Sequence, residues 1–136
     1  MAAEKSFFEN PDLGLLMLRL LVGVIMIAHG VPKLMAGPEQ WEWLGSQMAH
    51  LGINFAPVFW GGLAALAETL GGALLIIGFY MRPAAFFLFG TMFIATLYHI
   101  QSGDGFNKVS HPLALSALFL ALMFIGPGKH ILKKSS

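Results

Sequence analysis

The chain contains no cysteine. Disulfides, thiolate nucleophiles, iron–sulfur clusters and cysteine-ligated zinc are therefore excluded within it, and any sulfur chemistry would need a partner. Charge is scarce too: Asp, Glu, Lys and Arg together make up 11% of the 136 residues, and the net charge is +1. So few basic residues, scattered along the chain, cannot assemble the cationic face that nucleic acid requires, which removes it as a partner. No repeat of solenoid length is visible, and residues 1–136 read as a single domain. A glycine-rich nucleotide motif is missing as well, because GGALLIIG lies inside an apolar run without strand-to-helix context.

What the chain has instead is apolar surface. Hydrophobic residues make up 57% of it and the mean hydropathy is +0.72, too high for an ordinary soluble domain. Four apolar runs separated by short polar stretches point to an all-α fold, a transmembrane four-helix bundle. The expected spans are residues 13–35, 57–80, 83–100 and 111–126, with a short interfacial helix at 40–51 between the first and second. The partners implied are the lipid bilayer and either a protein partner or further copies of the chain.

The opening segment, with Glu4, Lys5, Glu9 and Asp12 beside Phe7 and Phe8, resembles an interfacial lead-in more than a signal peptide, whose head would be basic. Asn10 is placed to cap the first helix just before Pro11. In that helix Arg19, Gly23, Met26, Gly30 and Lys33 share one face, and Lys33 is near enough to the end to act as a membrane-edge anchor. Gly37-Pro38 ends the helix. Trp41 and Trp43, followed by Leu44, Met48 and Leu51 at helical spacing, suit a short amphipathic helix in the headgroup region.

In the second span one acid, Glu68, stands in a stripe of small residues formed by Gly61, Ala64, Ala65, Gly71 and Gly72. A carboxylate at that depth must face the bundle, pair with a cation or hold a proton. Pro83 can occupy the first turn of the third helix, where Leu88, Thr91, Met92, Ala95 and His99 form the inward face. Ser110-His111-Pro112 reads as the opening of the last helix, which leaves it short, about 21 Å against about 30 Å of hydrocarbon. Cations gather on the side of both termini (Lys5, Arg82, Lys129, Lys133, Lys134), against Lys33 and Lys108 on the other. Both termini are thus expected in the cytoplasm of a bacterial-type inner membrane.

The runs LRLLVGVIMIAHGVPKL and LAETLGGALLIIGFYMRPAA, with GPG after the fourth span, resemble the DoxX family of small four-helix membrane proteins. The resemblance rests on the ordered set Arg19, His29-Gly30, Lys33, Glu68, Gly71-Gly72, Gly78, Arg82 and Gly126-Pro127-Gly128. It implies a membrane subunit of a redox system handling quinone-like or other small apolar molecules; the related DoxD subunit belongs to a thiosulfate:quinone oxidoreductase. Some relatives act instead as assembly factors, so a non-enzymatic scaffold stays open beside the oxidoreductase role. A transporter is the third reading.

The candidate catalytic residues are Glu68, His29 and Arg19. Measured from the terminal side, Arg19 should lie about 9 Å deep, Glu68 about 18 Å and His29 about 24 Å. These depths suggest an Arg19–Glu68 contact, either as a structural pair or as part of a polar cavity in which Glu68 and His29 exchange protons with a bound molecule such as a quinone. Gly71, Gly72, Lys33 and His99 are the candidate cofactor contacts. His29, His99 and His111 could in principle ligate a metal or haem, but no fixed i, i+3 or i, i+4 ligand pair supports it, so no metal is assigned.

Overall fold

The computed structural model describes residues 7–131. Within them the elements are α1 (Pro11–Ala36), α2 (Pro38–Ser46), α3 (Pro57–Ile77), α4 (Met81–Gln101) and α5 (Phe106–Ile125), with α2 running on into a 3-10 turn at Gln47–Leu51. Glu4, Lys5, Lys133 and Lys134, which entered the expectations for the two ends, lie outside the described residues. Helices α1, α3, α4 and α5 are each long and apolar enough to cross a membrane. The fold is a transmembrane four-helix bundle, with α2 and its 3-10 turn between the first and second spans. One end of the bundle carries the α2 region and the α4–α5 loop; the other carries the start of α1, the α3–α4 turn and the segment that follows α5.

Local signals explain the boundaries. The Asn10 side chain accepts a hydrogen bond from the Leu13 amide at 3.1 Å, satisfying one of the free donors of the first turn of α1. Gly78, in the left-handed conformation, closes α3, and its amide donates to the Leu74 carbonyl at 2.8 Å. Helix α4 then begins at Met81, so Pro83 falls in its first turn, where no amide is needed.

The last helix departs from expectation. It starts at Phe106 behind Gly105, not at Ser110, and Pro112 lies inside it. Twenty residues give about 30 Å, enough to cross the hydrocarbon without thinning it. The polar residues Asn107, Lys108 and Ser110 disguise this extra turn and a half in the sequence.

Inside a bilayer, helices associate through close packing and polar contacts, because lipid is as apolar as leucine. Here α1 and α3 meet on small residues. A Cβ on Gly23 would stand 2.7 Å from the Gly72 carbonyl oxygen, one on Gly72 would stand 2.6 Å from that of Gly23, and one on Gly30 would stand 2.6 Å from the Thr69 amide. Any side chain at these points would force the backbones apart. Similarly, α2 lies against the first half of α3, with Gly45 on the Pro57 carbonyl and Gly61 on that of Trp41. The interfacial helix is therefore docked on the bundle's flank as well as capping its end. Between α1, α3, α4 and α5 sits the core of Met26, Leu75, Met81, Leu88, Phe119 and Leu122, with Met92 and Val22 at its edge.

The glycine contacts set the slide of α1 against α3. Gly30 lies opposite Glu68 and Thr69, and Gly23 lies opposite Gly72 and Ile76. Relative to a register that aligns the two helix ends, α3 is displaced by about five residues, or about 7 Å. That displacement decides which charges meet.

Candidate functional site

Arg19 and Glu68 do not form the expected pair, although both are 1% exposed. The register places Arg19 level with the end of α3, some 16 Å along the axis from Glu68 at about 1.5 Å per residue. Its guanidinium instead donates only to carbonyls. Nε bonds to the Leu75 oxygen at 2.8 Å and Nη2 to that of Ile76 at 2.9 Å, while Nη1 reaches Pro127 at 3.0 Å and His130 at 2.6 Å. Two of these carbonyls belong to the last turn of α3, which carries partial negative charge and lacks intrahelical donors. The other two lie in the segment after α5, so Arg19 ties that segment to the bundle. Arg82 supports the same region, donating from Nε to the Met123 carbonyl at 3.0 Å.

The partner of Glu68 is Lys33. Its Nζ donates to Oε1 at 2.9 Å and to Oε2 at 3.1 Å, with the lysine side chain 32% exposed and the carboxylate buried. The edge-anchor reading of Lys33 is thereby replaced: one face of α1 holds both Gly30 and Lys33, and the lysine stem reaches inward where the glycine lets α3 approach. Trp41 fixes the start of that stem, its indole Nε1 donating to the Lys33 carbonyl at 2.9 Å. An ammonium has three donors, and only two are engaged with Glu68; no partner for the third is present among the described residues.

The pair stands at the wall of a cavity of 570 Å³ enclosed by α2, the 3-10 turn, α3 and α4, of the size that holds a small ligand. Leu63, Ala64, Ala67, Thr91, Ile94 and Ala95 line its middle, and Gln47, Trp60, Tyr98 and His99 its α2 end. Trp60 Nε1 is buried without a hydrogen-bond partner, a state that buried donors rarely adopt. Glu68 is eleven residues into α3, about 16 Å from its start and so near the middle of a bilayer about 30 Å thick.

Of the other candidates, His99 lines the cavity and its Nδ1 contacts Asp104 Oδ2 at 2.7 Å across the start of the α4–α5 loop. His29 does not reach the cavity. It is exposed on α1 with its ring centroid 6.0 Å from that of His111, because it lies off the Arg19–Lys33 face. Gly71 and Gly72 also stay away from the cavity, the first against Leu88 and the second against Gly23 and Ile27; their role is packing. Among the described residues there is no cluster of three or more His, Asp or Glu side chains able to hold a metal ion. The inward face named for the third span fits: Leu88 and Met92 are buried, and Thr91, Ala95 and His99 face the cavity. Trp60, Tyr98 and Gly90 were not singled out from the sequence, since apolar and small residues in a span carry no individual signal.

Comparison with known proteins agrees with the architecture. No solved structure matches the chain. Inner membrane protein YphA of Escherichia coli (strain K12) is 32% identical over 124 residues, which is 84% of this chain and 84% of the relative. The family model described as DoxX matches residues 14–100, from the start of α1 to the end of α4 and so including Arg19, Lys33, Glu68 and the cavity walls. The chain belongs to the DoxX family.

Proposed function

We propose that this protein is a multi-pass inner-membrane subunit of a redox system, and that its cavity binds a quinone-like or other small apolar molecule. One observation carries this reading: an ion pair with a spare N–H donor, set at mid-bilayer depth in the wall of a largely apolar cavity. A bound quinone ring would lie against Leu63, Ala64 and Ala67, with a carbonyl oxygen accepting from Lys33. Two-electron reduction of a quinone to the quinol takes up one proton at each carbonyl oxygen; Lys33 would donate the one at the oxygen it contacts, while the second proton and the one that restores Lys33 come from water. The electrons would come from a partner chain, consistent with a chain that holds no cysteine.

The inner-membrane placement draws support from the YphA relative and the four spans. Both termini belong in the cytoplasm on this reading, since Arg82 and Lys129 lie at that end and, among the described residues, only Lys108 stands unpaired with an acid at the other.

The test is extraction. Protein purified in a native-lipid disc should retain a quinone in stoichiometric amount, identified by mass spectrometry, and Gly90→Leu should lose it. Gly90 is a half-buried residue of the cavity's wall and a Cβ there meets open space, so the larger side chain obstructs the cavity without disturbing the helices. Absence of any bound small molecule from both proteins would favour the scaffold role.

A further inference from the structure

The walls of the cavity divide by exposure in a way that specifies how it is reached. Its exposed lining residues are Trp43, Leu51, Phe86, Phe87 and Phe93, all apolar. Every polar lining residue is buried or half-buried, Lys33 and Glu68 included. A mouth opening to water would carry the reverse pattern, since polar groups at a rim are hydrated without penalty and aromatic ones are not. This rim suits hydrocarbon.

The shape adds a second constraint. On α4 the lining runs from Phe86 to His99, about 20 Å along the axis. The cavity is thus an elongated slot running along α4. Leu88 packs on Gly71, so the antiparallel α3–α4 pair puts Thr91 level with Glu68 and places Phe86 and Phe87 just over one turn beyond, toward the α3–α4 turn. Gly90, half-buried and with open space where a Cβ would stand, lies between the two levels on α4.

From this we infer that the cavity is loaded sideways from the bilayer and that its ligand is an uncharged molecule carrying an apolar tail. A hydrogen-bond acceptor at its head meets the spare donor of Lys33, and its tail leaves across Phe86 and Phe87. Resting on the proposed ligand-binding function, this assignment sharpens it to a lipid-dissolved class. Depth excludes the common alternative. A phospholipid keeps its charged head at the interface and would have to draw it in toward the buried Glu68 carboxylate to engage Lys33, at the steep cost of desolvating a charge. A neutral head group travels to the midplane freely.

The test has two arms. Because the chain has no cysteine, Gly90→Cys offers a single site for a nitroxide label, placed where a Cβ meets nothing. In lipid discs, collision with oxygen, which concentrates in hydrocarbon, should exceed collision with a water-soluble nickel chelate at least tenfold. Equal or greater access by the chelate overturns the sideways route, whatever binds there. In the second arm, decylubiquinone and the same ring without its decyl chain are titrated at matched concentrations within the lipid phase. The tailed form should bind at least tenfold more tightly, and Gly90→Leu should erase that difference. Equal affinity overturns the tail assignment and leaves the quinone reading standing. A long-chain methyl ketone binding as tightly as decylubiquinone supports the tailed-acceptor site while removing quinone specificity. Binding by none of the three overturns the inference and the functional reading together.

Discussion

Helix α1 carries two cations into the bundle, and their surroundings are opposites. Arg19 is sealed at the terminal end by four backbone carbonyls and pairs with no acid among the described residues. Lys33, fourteen residues on, is held by one carboxylate and opens on a cavity. The difference follows the chemistry of the two side chains. A guanidinium has five donors in a rigid fork, enough to satisfy several carbonyls at a helix terminus, whereas an ammonium is a compact charge that can hold one partner and still offer a donor elsewhere. Arg19 therefore closes a structure and Lys33 leaves one available. In a fold without a large water-driven core, the polar group that fastens and the polar group that can react are kept apart along a single rod.

Removing Arg19 should produce the largest loss. Arg19→Leu strands four buried or half-buried acceptors whose hydrogen bonds to a charged donor contribute about 1.5–3 kcal/mol each, so a total loss beyond about 4 kcal/mol is expected. Chemical unfolding followed by helical circular dichroism in detergent measures it. Arg19→Lys should recover less than half, because an ammonium cannot span the carbonyls at both the α3 terminus and the segment after α5. If lysine restores full stability, the fork geometry is not what matters.

The cavity pair should respond differently. Lys33→Met alone leaves a buried carboxylate without its cation and should cost about 1–3 kcal/mol, tempered by the partial exposure of the lysine. The double change of Lys33→Met with Glu68→Leu should return to within about 1 kcal/mol of the parent, since matched apolar residues remove both desolvation costs. Additive losses in the same unfolding assay would mean that the two side chains act independently. No such apolar rescue exists at Arg19, whose partners are backbone.

The smallest effect marks the cavity itself. Gly90→Ala should raise stability by about 0.5–1 kcal/mol, because the methyl group enters open space and the unfolded chain loses freedom. A loss would show that the wall beside Thr91 is already filled.

Much of this was legible in the sequence. Hydropathy marked the four spans, Asn10-Pro11 the first cap and Gly37-Pro38 the break before α2. The inward faces of α1 and α4 followed from helical spacing. What escaped was the slide of one helix on another. Spacing orders residues around a helix but carries no zero point between two helices, so aligning ends put Arg19 near Glu68. The signal was present in the small residues: laying Gly23 and Gly30 against Gly72 and Thr69 brings Lys33 to the acid. The start of α5 escaped for another reason, since Asn107, Lys108 and Ser110 have turn-like character that the helix overrides at the bundle's rim. The cavity had no sequence signature, because a void is made by what Gly90, Ala64 and Ala67 omit.

The most direct test is the affinity of the folded double variant, Lys33→Met with Glu68→Leu, for decylubiquinone in lipid discs, read by quenching of the cavity tryptophans. With the cavity intact and the ion pair gone, affinity should fall at least tenfold, or about 1.4 kcal/mol. Undiminished binding would contradict the assignment of the Lys33–Glu68 pair as the group that receives the ligand.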